Sequence, residues 1–207
     1  MQINKLTVGS LATNCYIMSN EETKTCFIVD PGAQAERILA KVKELDCSVE
    51  AILLTHGHVD HIMAAKEMKV ACNCQIYAGA KEVEVLNSTE KNLTEMFGTP
   101  ATLQADVLVH AGQKLKLADF SLEVLETPGH TEGGVTYYLP DYQVAFCGDT
   151  IFQESVGRTD FPTGSSAILR QSIQEQIFSL PDETKLLSGH GVVTTVAYEK
   201  QYNPFVV

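Results

Sequence analysis

The chain has 207 residues, enough for one domain with a full core or at most two small ones. Its 44% hydrophobic and 20% charged composition is ordinary for a globular protein. The net charge is −11, and no Lys/Arg cluster segregates positive charge, so a phosphate backbone is repelled and nucleic acid is not an expected partner.

Six cysteines in 207 residues are far below the density of a disulfide scaffold, none forms a C-x-x-C pair, and the four in or beside apolar segments are read as small hydrophobes. For Cys72-Asn73-Cys74, soft-metal binding stands against that inert packing role. The start, Met1-Gln2-Ile3-Asn4-Lys5-Leu6, has no apolar signal core and no run approaches a membrane span. No membrane partner is expected, and a cytoplasmic location follows by default.

In chain order, strands are predicted at 3–8, 14–18 and 25–29, the last closed by the turn Asp30-Pro31-Gly32. Ile38, Leu39, Val42 and Leu45 give 33–45 a helical period. A short apolar strand at 49–54 leads into a helix at 60–69. Another strand is read at 75–78, and a mostly helical segment at 81–97 with a break near Asn87-Ser88. The second half predicts strands at 115–117, 121–126, 134–139 and 144–146. It continues with an amphipathic helix at 165–179, a strand at 185–187 and a closing helix at 195–201. Two runs of strands, each followed by helices, predict two sheets with helices outside.

The chemistry concentrates where these strands end. Thr55-His56-Gly57-His58-Val59-Asp60-His61 follows the apolar Ala51-Ile52-Leu53-Leu54. A lone histidine is usually structural, but three with an aspartate at this density are the preferred donors of zinc and similar ions. His130, Asp149 and His190 each follow an apolar strand through a glycine, and each alone could be a turn residue. His110 lacks this setting and is read as loop surface.

The strings His56-x-His58-x-Asp60-His61, Gly129-His130-Thr131, Gly148-Asp149-Thr150 and Gly189-His190-Gly191 resemble, in order, the metal motifs of the metallo-β-lactamase superfamily. The resemblance spans almost the whole chain. It implies an α/β (α+β) class: a four-layer αββα sandwich of two central mixed β-sheets with helices outside. It also implies two divalent metal ions, zinc by default, with iron or manganese fitting similar donors. One ion would take His56, His58 and His130, the other Asp60, His61 and His190, with Asp149 and a water or hydroxide between them. Asp60 would double as a catalytic group, and the metal-bound hydroxide would be the nucleophile. Asp30 matches an early aspartate of the family and is read as the acceptor that orients a ligand imidazole, against the plain reading of a Pro-Gly turn. For Thr131 and Thr150, local turn bonding is weighed equally with a supporting role.

Asn14-Cys15-Tyr16 and the stretch from Gly148 through Gly157-Arg158-Thr159-Asp160-Phe161 resemble small glyoxalase II-like (hydroxyacylglutathione hydrolase-like) proteins. That resemblance implies a thioesterase acting on a small-molecule acyl thioester. His58 stands where flavodiiron-type relatives carry glutamate, which argues against that chemistry. Arg158 is either a clamp for a substrate carboxylate or an internal partner of Asp160. Tyr198, Tyr202 and Asn203-Pro204 resemble the closing segment of these hydrolases, with packing as the simpler role. The chain ends soon after His190, so it is expected to be one domain, 1–207, without the C-terminal helical domain of full-length glyoxalase II. Alternatives are a persulfide dioxygenase with a mononuclear iron on His56, His130 and Asp149, and a lactonase.

Overall fold

Alternation along the first strands sets the layering. In β2 (Thr13–Asn20), following β1 (Gln2–Val8), Cys15 and Ile17 join one buried cluster while Tyr16 and Met18 join another. The period of two sends successive side chains to opposite faces, and here both faces are covered. β3 (Thr25–Val29) repeats the pattern, with Cys26 and Ile28 on one side and Phe27 and Val29 on the other.

The computed structural model describes residues 1–206. After β3 come α1 (Ala35–Glu44), β4 (Ser48–Leu53), α2 (Val59–Ile62), α3 (Ala65–Cys72), β5 (Gln75–Gly79), α4 (Val83–Leu86) and β6 (Val107–Val109). The second half holds β7 (Lys114–Leu117), β8 (Phe120–Glu126), β9 (Val135–Leu139) and β10 (Val144–Gly148). A ribbon of β11 (Ile151–Phe152) and β12 (Ser155–Val156) precedes α5 (Ser166–Ser172), β13 (Lys185–Ser188), β14 (Thr194–Thr195) and α6 (Val196–Tyr202).

Two mixed six-stranded sheets result, in the orders β1-β2-β3-β4-β5-β6 and β14-β13-β10-β9-β8-β7. Phe27, Leu53, Tyr137 and Phe146 interdigitate between them. α1 and α3 cover the outer face of the first sheet through Ile38 and Met68. Leu169, Ile173 and Val196 cover the second. This is the αββα sandwich that the sequence motifs imply. No helix among the described residues is long and apolar enough to cross a membrane.

Strand direction places the site. β3 and β4 run parallel, so Asp30 and the 55–61 loop leave the first sheet at one edge. β8 and β10 both run antiparallel to β9, and β10 runs parallel to β13, so all three point the same way. Their exits, carrying His130, Asp149 and His190, therefore share one edge of the second sheet. Val135 N donates to Thr55 O at 2.8 Å and Tyr137 Oη to Leu54 O at 3.0 Å, which fixes the two edges together.

Three expectations are corrected. The segment 81–97 is helical only as a 3-10 turn, Ala80–Glu82, and as α4. Beyond it the buried Asn92 side chain binds Leu86 O, Ala101 O and Thr94, so local polar bonding replaces the helix ladder. The helix at 60–69 is two pieces, α2 and α3, separated at Met63 and Ala64. The helix at 165–179 is α only to Ser172, and Ile173–Ile177 widens into a π turn.

Candidate metal centre

All seven side chains expected to bind metal converge at that shared edge. Nitrogens of His56, His58 and His130 form one group of donor atoms within 4.8 Å of one another, and Asp60, His61 and His190 form another. In the first, His130 Nε2 lies 2.9 Å from His58 Nδ1 and 3.2 Å from His56 Nε2. A tetrahedral ion with metal–nitrogen bonds of about 2.0–2.1 Å sets its nitrogens roughly 3.3 Å apart. The three imidazoles therefore suit a cation.

The groups behind three of the rings decide which nitrogen faces inward. Thr55 Oγ1 donates to Asp30 Oδ2 at 2.6 Å, so at 3.1 Å it accepts from His56 Nδ1, leaving Nε2 free. His130 Nδ1 donates to the carbonyl of Arg158 at 2.7 Å, which leaves its Nε2 lone pair facing the cluster. Asp30 is buried, receives the Thr55 backbone N–H at 2.8 Å, and places Oδ2 2.9 Å from His61 Nδ1. One carboxylate thus orients His61 directly and His56 through Thr55.

Asp149 faces both groups. Its Oδ1 is 3.4 Å from His61 Nε2, while Oδ2 is 3.5 Å from His190 Nε2 and 3.7 Å from His130 Nε2. His190 Nε2 is 3.1 Å from Asp60 Oδ2, which also accepts from Thr13 Oγ1 at 2.7 Å. His61 Nε2 and Asp149 Oδ1 are buried with no hydrogen-bond partner among the described residues. Orphaned atoms of this kind are costly unless a cation satisfies them.

Electrostatics separates the groups. Burial, reinforced by neighbouring imidazoles, pushes His56 well below the ordinary histidine range and His58 down to about 3, so both keep a lone pair. Burial also acts against a charge on His61, but Asp60, Asp149 and Asp30 outweigh it and lift its pKa. For Asp60 burial pushes upward, and His61, His190 and Thr13 overcome it, keeping the carboxylate ionised. The same carboxylates would draw a cation to His61 Nε2.

Other residues brace the ligand loops. Asn14 N donates to Gly189 O at 2.7 Å, and its Nδ2 to Ser188 O and Gly191 O at 3.0 and 3.1 Å. Tyr16 Oη donates to Ser188 O at 2.7 Å, so the Asn14-Cys15-Tyr16 stretch holds the His190 loop. A Cβ at Gly189 would collide with Asp149 Oδ1 and the His61 ring, which explains the glycine there. The sequence reading missed Glu82. Fully buried, it accepts from Gly57 N at 2.8 Å through Oε1 and from Thr131 Oγ1 at 2.9 Å through Oε2, tying two ligand loops together. It also missed Thr13, which neighbours a recognised stretch. His110 is exposed, and all six cysteines are free thiols.

A family model described as the metallo-beta-lactamase superfamily matches residues 8–190. The chain belongs to this superfamily. Among superfamily members, hydroxyacylglutathione hydrolase GloC of Haemophilus influenzae is 36% identical, with 100% of this chain and 98% of that protein covered. The crystal structure of BLEG-1 B3 metallo-beta-lactamase superposes with a TM-score of 0.94 at 35% identity, covering 100% of both chains. That of TTHA1623 in a di-iron-bound form gives 0.88 at 31% identity, covering 98% of this chain and 99% of the other. The protein is a metallo-hydrolase of that superfamily, with a His/Asp cluster able to hold metal.

The cluster opens into a cavity of about 410 Å³. Leu11, Leu93, Phe97, Phe152 and Phe161 contribute to its walls, and Arg158 lines one side. Arg158 Nε and Nη2 each donate to a different oxygen of Asp160 at 2.7 Å.

Proposed function

We propose that this protein hydrolyses small acyl thioesters at two divalent metal ions. His56, His58 and His130 would hold one, Asp60, His61 and His190 the other, with Asp149 shared. The observation that carries the reading is the position of Asp149, whose carboxylate lies 3.4–3.7 Å from nitrogens of both donor groups, His130 of one and His61 and His190 of the other. The similarity to a hydroxyacylglutathione hydrolase supports the thioester as the bond cleaved. Zinc is the default for such donors, while the di-iron relative keeps iron in view. When bound, ions of this kind lower the pKa of water from 15.7 to about 7 and stabilise charge on a carbonyl oxygen.

The chain's own groups do the rest. Asp60, kept ionised and tethered by Thr13, would accept a hydrogen bond from the attacking water and so orient it. Asp30 and the Arg158 carbonyl hold the imidazoles in the ligating orientation. Phe152 and Phe161 exclude bulk water from one side of the reacting carbonyl. The departing thiol has a pKa of about 8.5, so it leaves as thiolate with little protonation and needs no dedicated acid.

Metal-loaded protein assayed against a panel of thioesters should turn over, and His58→Ala should abolish turnover. Equal rates in the two proteins overturn the reading. One equivalent of iron with oxygen uptake driven by glutathione persulfide would replace it with a dioxygenase on His56, His130 and Asp149. Turnover confined to lactones would replace it with a lactonase.

A further inference from the structure

The cavity in front of the donor cluster contains a cation that is already spent. Among the described residues, Arg158 is the only basic side chain apart from histidine that lines it. Its guanidinium is matched bidentately by Asp160, and its Cζ lies over the Phe161 ring, 3.8 Å from the centroid. Phe161 in turn meets the His58 ring edge-on at 5.9 Å. Two nearby lysines are also engaged elsewhere. Lys5 Nζ donates to Gly191 O at 3.1 Å, and Lys91 pairs with Glu84 and Glu132. Apart from the donor cluster and Ser155, the remaining walls are aromatic and aliphatic, and the chain as a whole carries −11.

From these observations, and resting on the thioesterase reading, we infer that the preferred substrates carry apolar, uncharged groups beside the thioester. Asp160 sets that preference by neutralising Arg158. A carboxylate entering the cavity finds the Nε/Nη2 edge taken and the guanidinium charge already neutralised, so it either displaces Asp160 or binds the remaining Nη1 edge beside a like charge. An alkyl chain meets no such competitor and gains about fourfold in binding for each methylene it buries against Leu93, Phe97 and Phe152. Asp160 is therefore a specificity-determining residue, and Arg158 becomes an anion clamp only when Asp160 is absent. The pair is exposed, with Arg158 and Asp160 side chains 57% and 65% accessible, so the fold does not depend on it.

The test uses thioesters of one uncharged thiol, N-acetylcysteamine, with acetyl, butyryl, hexanoyl and adipoyl groups. Metal-loaded wild type should show KM falling along the alkyl series and prefer hexanoyl over adipoyl by about tenfold or more in kcat/KM. Asp160→Asn should bring that ratio close to unity, chiefly through a lower KM for adipoyl, with an unchanged thermal midpoint. Equal use of hexanoyl and adipoyl by wild type overturns the inference, as does a ratio that Asp160→Asn leaves unmoved. Binding of the matching hexyl and carboxypentyl thioethers, measured by calorimetry, separates this inference from the reaction. A hexyl preference that Asp160→Asn erases, without thioester turnover, upholds the inference and overturns only the thioesterase reading. Tighter binding of the carboxypentyl thioether by wild type overturns it whatever the turnover.

Discussion

The inner histidine group and the outer acid-containing group meet at Asp149 yet are held differently. His56, His58 and His130 are 3%, 2% and 6% exposed, and each comes from a strand exit buried in the sandwich. In the outer group His61 is fully buried, while Asp60 and His190 have side chains 17% and 28% exposed, one on the short helix α2 and one on a loop tethered to β2. Three neutral donors leave an ion its full charge, the arrangement that polarises best. The outer group instead offers a negative donor and closer access to water. An outer ion should therefore exchange first, and the following substitutions test that ranking.

The largest effect is expected from Asp149→Asn, because the amide oxygen carries no full charge to place between two dications. Metal content should fall from about two equivalents to about one, with the inner group keeping its ion. Turnover should drop by about 10²–10³-fold. Elemental analysis and a thioester assay check both, and two retained equivalents with normal turnover would refute the shared role.

Glu82 braces only the inner side, through Gly57 and Thr131, and its chemistry gives a pH signature. Burial pushes this carboxyl from an ordinary 4.5 up to about 7, against the hydrogen bonds it receives. A raised acid pKa means the folded state holds the proton more tightly than the unfolded chain. Its contribution is therefore complete below about 4.5 and lost as pH climbs through about 7, a change of about 3 kcal/mol. Denaturant titrations of chelator-treated protein at pH 5 and 8 should show this loss in wild type and not in Glu82→Gln. Parallel behaviour of the two proteins would show that Glu82 stays ionised throughout.

These braces also show where sequence reading stops. The seven candidate donors were legible because each follows an apolar strand, and strand exits gather at one edge once strand direction is fixed. Asp30 was legible as a residue, but its double grip on His61 and Thr55 required the β3–β4 pairing. Glu82 was not legible, because its neighbours Lys81, Val83 and Leu86 fit a helical pattern while its partners lie 25 and 49 residues away. The irregular stretch beyond Leu86 was hidden for a similar reason. Its apolar spacing suits a helix, and only the Asn92 network shows why none forms. Arg158 could be placed beside the site from sequence, while its capture by Asp160 is a matter of side-chain geometry.

Asp30 spans the two groups, so its loss should blur their difference. Asp30→Ala frees the His61 ring and removes the acceptor that orients Thr55 behind His56. Affinity for both ions should fall by about 10–100-fold, the usual cost of losing such a partner. Loss confined to one ion, seen by titration with a competing chelator, would mean that Thr55 alone holds His56 in place.

The smallest effect isolates the outer group. Asn14→Ala removes the two side-chain bonds to Ser188 O and Gly191 O but keeps the backbone bond from Asn14 N to Gly189 O. Tyr16 still grips Ser188 O, so the loop stays folded with a less fixed His190. A typical buried hydrogen bond contributes about 1 kcal/mol, which for two bonds bounds the change in outer-ion affinity at about thirtyfold. Part of that loss is recovered as water solvates the freed carbonyls, so a shift of about five- to tenfold is expected. In a chelator titration with two release steps, only the earlier one should move. The inner step has no contact with Asn14 and should stay fixed. Equal shifts of both steps would mean that Asp149 couples the ions tightly enough to make them one binding unit, and the ranking of inner over outer would fall with it.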